Sequence, residues 1–101
     1  MPAASVSSGE PIRVAVIGYG YWGPNLVRNF SGLDGCAVTA VCDLDAEVLE
    51  AVARRYPSVR TTDDATALLR GDDIDAVAIA TPVSTHHRLA RQVIESGRHV
   101  L

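Results

Sequence analysis

The stretch from Ile12 to Asp43 constrains the fold of this chain more than any other. Ile12-Arg13-Val14-Ala15-Val16-Ile17 is a short apolar, β-branched run, the pattern of a parallel strand buried on both faces. It leads directly into Gly18-Tyr19-Gly20-Tyr21-Trp22-Gly23, a G-x-G-x-x-G turn, after which the apolar spacing becomes helical at Leu26, Val27 and Phe30. A second apolar strand, Ala37 to Cys42, ends in Asp43, which lies 20 residues beyond Gly23. Strand, glycine turn, helix, strand and terminal acid are the parts of a dinucleotide-binding βαβ unit. Gly18 permits the tight turn, Gly20 lets a pyrophosphate approach bare backbone, and Gly23 lets the helix pack close to the strand. The helix N-terminus offers unpaired N–H groups and a positive dipole end to the phosphates. Asp43 can accept hydrogen bonds from both hydroxyls of a ribose. Its charge repels a 2′-phosphate and Leu44-Asp45 supplies no arginine to offset it, so NAD is preferred over NADP. Tyr19, Tyr21 and Trp22 are packing or rim aromatics, with Tyr19 or Trp22 in reach of the pyrophosphate. A turn that binds nothing would explain the glycines, but not an acid at this spacing.

The remaining chain alternates helices and strands. Asp45 caps a second helix with Glu47 in its first turn, an apolar stripe of Val48, Leu49, Val52, Ala53 and Tyr56, and Pro57 as its stop. Val59 to Thr61 reads as a third strand, followed by Asp63-Asp64 capping a brief helix over Ala65 to Leu69. Asp72-Asp73 reads as a solvated loop. Ile74 to Ala80 is a fourth strand, closed by Thr81-Pro82. Ser84 or Thr85 caps a last helix with an inner stripe of Leu89, Ala90, Val93 and Ile94, and His99 to Leu101 opens a fifth strand. Such alternation implies a Rossmann-type α/β fold, a parallel sheet with helices on both faces and strand order 3-2-1-4-5, its fifth strand incomplete. Ligands of such sheets bind outside the carboxyl ends of the strands, where the Gly18 turn, Asp43 and Thr81-Pro82 all fall. The expected division is a flexible tail over 1–11 and one dinucleotide-binding domain over 12–101, cut short at its C-terminal end. A sheet edge left raw there would invite self-association.

Composition narrows the function classes. A net charge of −3 gives no footprint for nucleic acid or an anionic membrane, and no apolar run reaches membrane-spanning length. Cys36 and Cys42 sit about 20 Å apart along an extended strand, too far for a disulfide, and read as reduced thiols of a cytoplasmic protein. His86 and His87 point about 100° apart on a helix, with no acid or cysteine at ligand spacing, so no metal site is expected. His86, in phase with Ala90, is the histidine placed to touch a cofactor. Arg13 reads as a residue near the start of its strand that reaches solvent.

Val16-Ile17-Gly18-Tyr19-Gly20-Tyr21-Trp22-Gly23-Pro24-Asn25-Leu26, Val41-Cys42-Asp43 and Ala80-Thr81-Pro82-Val83-Ser84-Thr85-His86 together resemble the Gfo/Idh/MocA oxidoreductases. The resemblance implies NAD(P)-dependent dehydrogenation of sugars and related polyols, and the Gly-Tyr-Trp-Gly-Pro-Asn run is most similar to members acting on nucleotide-linked sugars. It also implies that Thr81 and Pro82, with His86, line the cofactor site near the nicotinamide. Members of that family continue past the fifth strand into a Glu-Lys-Pro motif and a substrate domain. All nine basic residues here are arginine, so the family's lysine is absent and no catalytic residue is expected in this chain. The expectation is a cofactor domain that binds NAD without turnover and acts on a sugar-type substrate only with the missing domain. Two other readings stay open: a non-catalytic dinucleotide-sensing module, and a Rossmann-like methyltransferase, which also uses a glycine turn and a strand-two acid.

Overall fold

Each apolar run of the sequence becomes a strand of one parallel sheet, in the order β3-β2-β1-β4-β5. The computed structural model describes residues 10–20, 23–81 and 83–100, apart from the side chains of Val83 and Ser84. The strands are β1 (Ile12–Ile17), β2 (Cys36–Cys42), β3 (Arg60–Thr62), β4 (Ala76–Ile79) and β5 (His99–Val100). Between them lie the helices α1 (Gly23–Ser31), α2 (Ala46–Arg55), α3 (Ala65–Arg70) and α4 (Val83–Glu95). Expected tail residues 1–9, and Tyr21, Trp22, Pro82 and Leu101, lie outside the described residues.

The period of two along the strands distributes the core over both faces. Ala15 and Ile17 of β1, Ala40 and Cys42 of β2, and Val77 and Ile79 of β4 meet Leu68 of α3 and Leu89 and Val93 of α4. Val16, Val41 and Ala78 face the other way, against Val27 of α1 and Val52 of α2. Full burial of each valine, leucine or isoleucine among them favours the fold by about 1.5–3 kcal/mol. A register shift between Val14 and Ala15 leaves Thr39 of β2 without a partner in β1, a β-bulge. The extra residue brings Val38 to the same face as Val41, three positions on, where strict alternation would oppose them. The Thr39 hydroxyl donates to the Asp73 carbonyl at 2.8 Å.

Capping follows the local chemistry. The Asp45 carboxylate accepts from the Glu47 amide at 2.9 Å, and Asp64 accepts from Thr66 and Ala67. Three expectations are corrected here. Helix α4 starts at Val83, so Ser84 and Thr85 lie in its first turn and do not precede it. Ala53 is exposed and Ile94 is 64% exposed; each sits at the margin of its helix stripe, beyond the reach of the sheet.

The amino edge of the sheet also departs from expectation. Arg13 does not simply reach solvent. Its Nε and Nη2 bond both carboxylate oxygens of Asp75 at 3.1 and 2.9 Å, and its Nη1 bonds the Asp72 carbonyl at 2.9 Å. Arg60 pairs with Asp73 at 2.9 Å. Arg98 donates to the carbonyls of Ile74 and Gly71. The Asp72-Asp73 segment is therefore tied down from β1 by Arg13, from β2 by Thr39 and from β3 by Arg60, where its charge alone suggested a free loop. The guanidinium bonds from Arg13 and Arg60 hold the carboxyls of Asp75 and Asp73 below the ordinary aspartate value.

Candidate functional site

At the opposite edge, the ladders joining β3, β2, β1 and β4 end in three hydrogen bonds: Asp43 to the Thr62 carbonyl, Gly18 to the Cys42 carbonyl and Ala80 to the Ile17 carbonyl. Beyond them the strands part at the switch point between β1 and β4, opening a cleft of about 810 Å³. Gly18, Gly20, Asp43 and Thr81 all line it. The space falls within the 300–1,000 Å³ or so usual for small-molecule sites.

Each glycine has a separate steric reason. Gly18 has φ +89°, and a Cβ there would lie 2.8 Å from Thr81 Cγ2 and 3.0 Å from the Ala80 carbonyl carbon. The loop after β4 thus presses on the turn as closely as backbone allows. A Cβ on Gly23 would lie 2.8 Å from the Gly18 carbonyl oxygen, which lets α1 start directly against the turn. Around Gly20 a Cβ would meet nothing within 4 Å. That open space faces the cleft, as a cradle for a phosphate requires.

Asp43 does more than end a strand. Its Oδ2 accepts from the Tyr19 amide at 2.8 Å and, more weakly, from the Gly20 amide at 3.4 Å. Its Oδ1 accepts from the Asp45 amide at 2.8 Å. The carboxylate therefore braces the glycine turn against the start of α2, and each oxygen retains acceptor capacity. Also on the cleft, the Thr81 Oγ1 is buried and has no hydrogen-bond partner among the described residues. An orphaned hydroxyl at the cleft fits a polar ligand group as its missing partner. The Cys42 thiol, at the floor of the cleft, is pushed up to about 11, chiefly by burial and further by Asp43, Asp63 and Asp64. It is a poor nucleophile there.

Of the two positions open to Tyr19, packing or rim, the structure takes packing, and His86 takes a position that the sequence did not indicate. The Tyr19 ring turns away from the cleft and packs on the other face among the partly buried side chains that include Leu26, Phe30 and Tyr56; only its amide belongs to the site. Burial raises its phenol above the ordinary value. The ring nitrogen Nε2 of His86 lies 2.9 Å from the Ile79 carbonyl oxygen, anchoring α4 to the end of β4, and His86 does not line the cleft. Leu44, Thr85 and Arg88 line it instead. Thr85 and Arg88 stand three residues apart on α4, a spacing that shares a helix face and was the available signal. Among the described residues no group of three or more His, Cys, Asp or Glu could hold a metal ion, and no helix is long and apolar enough to cross a membrane. Both cysteines are free, Cys36 half-buried and Cys42 buried.

The profile of the oxidoreductase family with an NAD-binding Rossmann fold, GFO_IDH_MocA, matches residues 12–101. The chain belongs to the Gfo/Idh/MocA oxidoreductase family. Its described fold is that family's NAD-binding Rossmann domain. It is 45% identical over 92 residues to inositol 2-dehydrogenase 2 of Paenarthrobacter aurescens, covering 90% of this chain and 27% of the relative. It is 39% identical over 99 residues to a glycosyl hydrolase family 109 protein of Streptomyces coelicolor, covering 89% and 21%. Among solved structures, the WlbA dehydrogenase from Bordetella pertussis, in complex with NADH and UDP-GlcNAcA, superposes with a TM-score of 0.84 at 27% identity, over 90% of this chain and 28% of that one. The chain spans about a quarter of the length of these relatives.

Proposed function

We propose that this chain is the cofactor-holding domain, over residues 12–101, of a cytoplasmic dehydrogenase acting on an inositol, sugar or nucleotide-sugar, and that it binds NAD(H) in preference to NADP(H). The observation that carries the reading is the convergence of Gly18, Gly20, Asp43 and Thr81 on one cleft at the carboxyl edge of the sheet. In this reading the open face of Gly20 and the start of α1 receive the pyrophosphate. The spare lone pairs of Asp43 take the ribose hydroxyls, and the Thr81 hydroxyl finds its partner towards the nicotinamide. Tyr21, Trp22 and Pro82 are assigned to the cofactor from their places in the sequence alone, while Tyr19 contributes its amide. His86 holds the start of α4 in place, bringing Thr85 to the cleft. When bound, the nicotinamide accepts or returns a hydride. This domain then has to orient the dinucleotide, screen it from water and leave its reactive face open. Taking the hydroxyl proton and holding the substrate carbon require a base and a pocket wall beyond these residues. The chain alone is therefore expected to bind cofactor without turning over any sugar.

Calorimetric titration with NADH and NADPH tests this. NADH is expected to bind the more tightly, and Asp43→Ala to weaken it by about 1–3 kcal/mol, the scale of hydrogen bonds to a charged group. Equal or tighter binding of NADPH would refute the role given to Asp43. The relative named as a glycosyl hydrolase supports a second reading, in which the whole protein acts on a glycoside. Assay of the full-length parent with an inositol and NAD, beside a chromogenic glycoside and NAD, separates the two.

A further inference from the structure

We propose that Tyr19 is a positioning residue for the glycine turn: its ring, held in the apolar layer on the far face of the sheet, sets the turn for the cofactor without touching it. The role rests on reading the cleft as an NAD site. Tyr19 stands between Gly18, at φ +89°, and Gly20, where a Cβ would meet nothing within 4 Å. Glycine loses more conformational freedom on ordering than any other residue, so a Gly-x-Gly turn left to itself samples many conformations. The Tyr19 side chain is the one in this segment by which packing can fix the turn.

Restraints reach this residue from three sides. Its amide donates to Asp43 Oδ2 at 2.8 Å, tying it to the end of β2. Its Cβ abuts the start of α1, since a Cβ on Gly23 would lie 3.2 Å from it. Its ring is half-buried against the cluster that holds Val16, Val27, Val41 and Val52, in one layer with Leu26 and Phe30 of α1 and with Tyr56 at the end of α2. Burial is the chief cause of its raised phenol; Tyr56 adds to the rise and Arg55 opposes it, which places the hydroxyl end of the ring towards the last turn of α2. The Arg55 guanidinium in turn lies 5.6 Å from the centre of the Tyr56 ring. The Tyr19 hydroxyl makes no hydrogen bond among the described residues, so the aromatic body is the anchor and not its polar tip. A ring that only filled space would be indifferent to the cofactor. This one belongs to the residue that joins Gly18 to Gly20, so releasing the ring releases the turn. A site that is competent for only part of the time binds less tightly by that fraction.

Calorimetric titration of the chain with NADH, well below each melting temperature, tests the role in the wild type and in Tyr19→Phe, Tyr19→Leu, Tyr19→Ala, Tyr56→Ala and the Tyr19→Ala, Tyr56→Ala double variant. Tyr19→Ala is expected to raise the Kd for NADH about five- to thirtyfold, the ordering entropy of roughly one backbone residue. Tyr19→Phe keeps the aromatic body and should bind as the wild type does, while Tyr19→Leu should fall between. Tyr56→Ala should raise the Kd about two- to fivefold by itself and add less than that to Tyr19→Ala, because it acts through the same ring. Asp75→Ala is the control for lost stability alone, expected to melt earlier with the Kd unchanged. A wild-type Kd in Tyr19→Ala, with a wild type that binds, overturns the positioning role and leaves the cofactor reading standing. Should Tyr19→Ala not fold, wild-type affinity in both Tyr19→Leu and Tyr56→Ala overturns it equally. So does a loss in Tyr19→Phe as large as in Tyr19→Ala, which would make the hydroxyl a ligand of the cofactor. Failure of the wild type to bind NADH overturns the positioning role and the cofactor reading together.

Discussion

The two edges of the sheet use the same side chains to opposite ends. At the amino edge, Asp73 and Asp75 are matched by Arg60 and Arg13, and Arg98 ties the loop before β4 to the lead into β5. At the carboxyl edge, among the described residues, Asp43 accepts only backbone amides, Arg88 has no partner and the Thr81 hydroxyl is buried without one. One edge satisfies its polar groups within the chain; the other leaves capacity unspent beside a cleft. Stability concentrates where bonds close on themselves, and binding where they do not. An unsatisfied buried group is costly in isolation, so its persistence at the open edge points to a ligand that satisfies it.

The largest expected effect breaks the open edge itself. Gly18→Val puts a branched side chain at φ +89° and against the Ala80 and Thr81 backbone, and is expected to cost about 3 kcal/mol or more of stability, measured by urea unfolding. Gly20→Val separates binding from folding. Its Cβ meets nothing within 4 Å, so the chain should fold within about 0.5 kcal/mol of the wild type and yet lose NADH at least about a hundredfold. Retained affinity in a folded Gly20→Val would mean that the phosphates lie elsewhere.

Effects at the closed edge should be smaller and confined to stability. Asp75→Ala removes a bidentate pair whose side chains are 43% and 28% exposed, so solvent screening limits the loss to about 1 kcal/mol, with the Kd for NADH unchanged. A shift in that Kd would show that the two edges communicate. Acid unfolding sharpens the same contrast. Asp73 and Asp75 are held below the ordinary value of 3.8, so their contribution is fully present above that pH and is lost as the pH falls through their folded values. In Asp75→Asn the acid limb of a stability-against-pH curve should flatten, while the neutral plateau drops. The smallest effect belongs to His86→Ala, which removes one bond to the Ile79 carbonyl and should cost about 0.5–1.5 kcal/mol with little change in NADH affinity. A large loss of affinity there would return His86 to the cofactor site.

Much of this molecule was legible before any coordinates. Short continuous apolar runs, a glycine turn and an acid at the end of the second strand determined the parallel sheet, its order and the edge at which the cleft lies, because each depends on spacing along the chain. Asp45 and Asp64 were legible as caps for the same local reason. Tertiary structure alone decided which groups find one another across long stretches of chain. The pairing of Arg13 with Asp75 spans 62 residues, and no local pattern distinguishes it from two solvated charges. The bulge at Thr39 puts Val38 on the same face as Val41, since one extra residue shifts a period of two. The Tyr19 ring and the His86 imidazole left the cleft for the same kind of reason. One found an apolar layer on the far face and the other a carbonyl at the end of β4; residue type left packing or rim open for Tyr19 and gave no sign of the His86 contact, and three-dimensional packing made both choices.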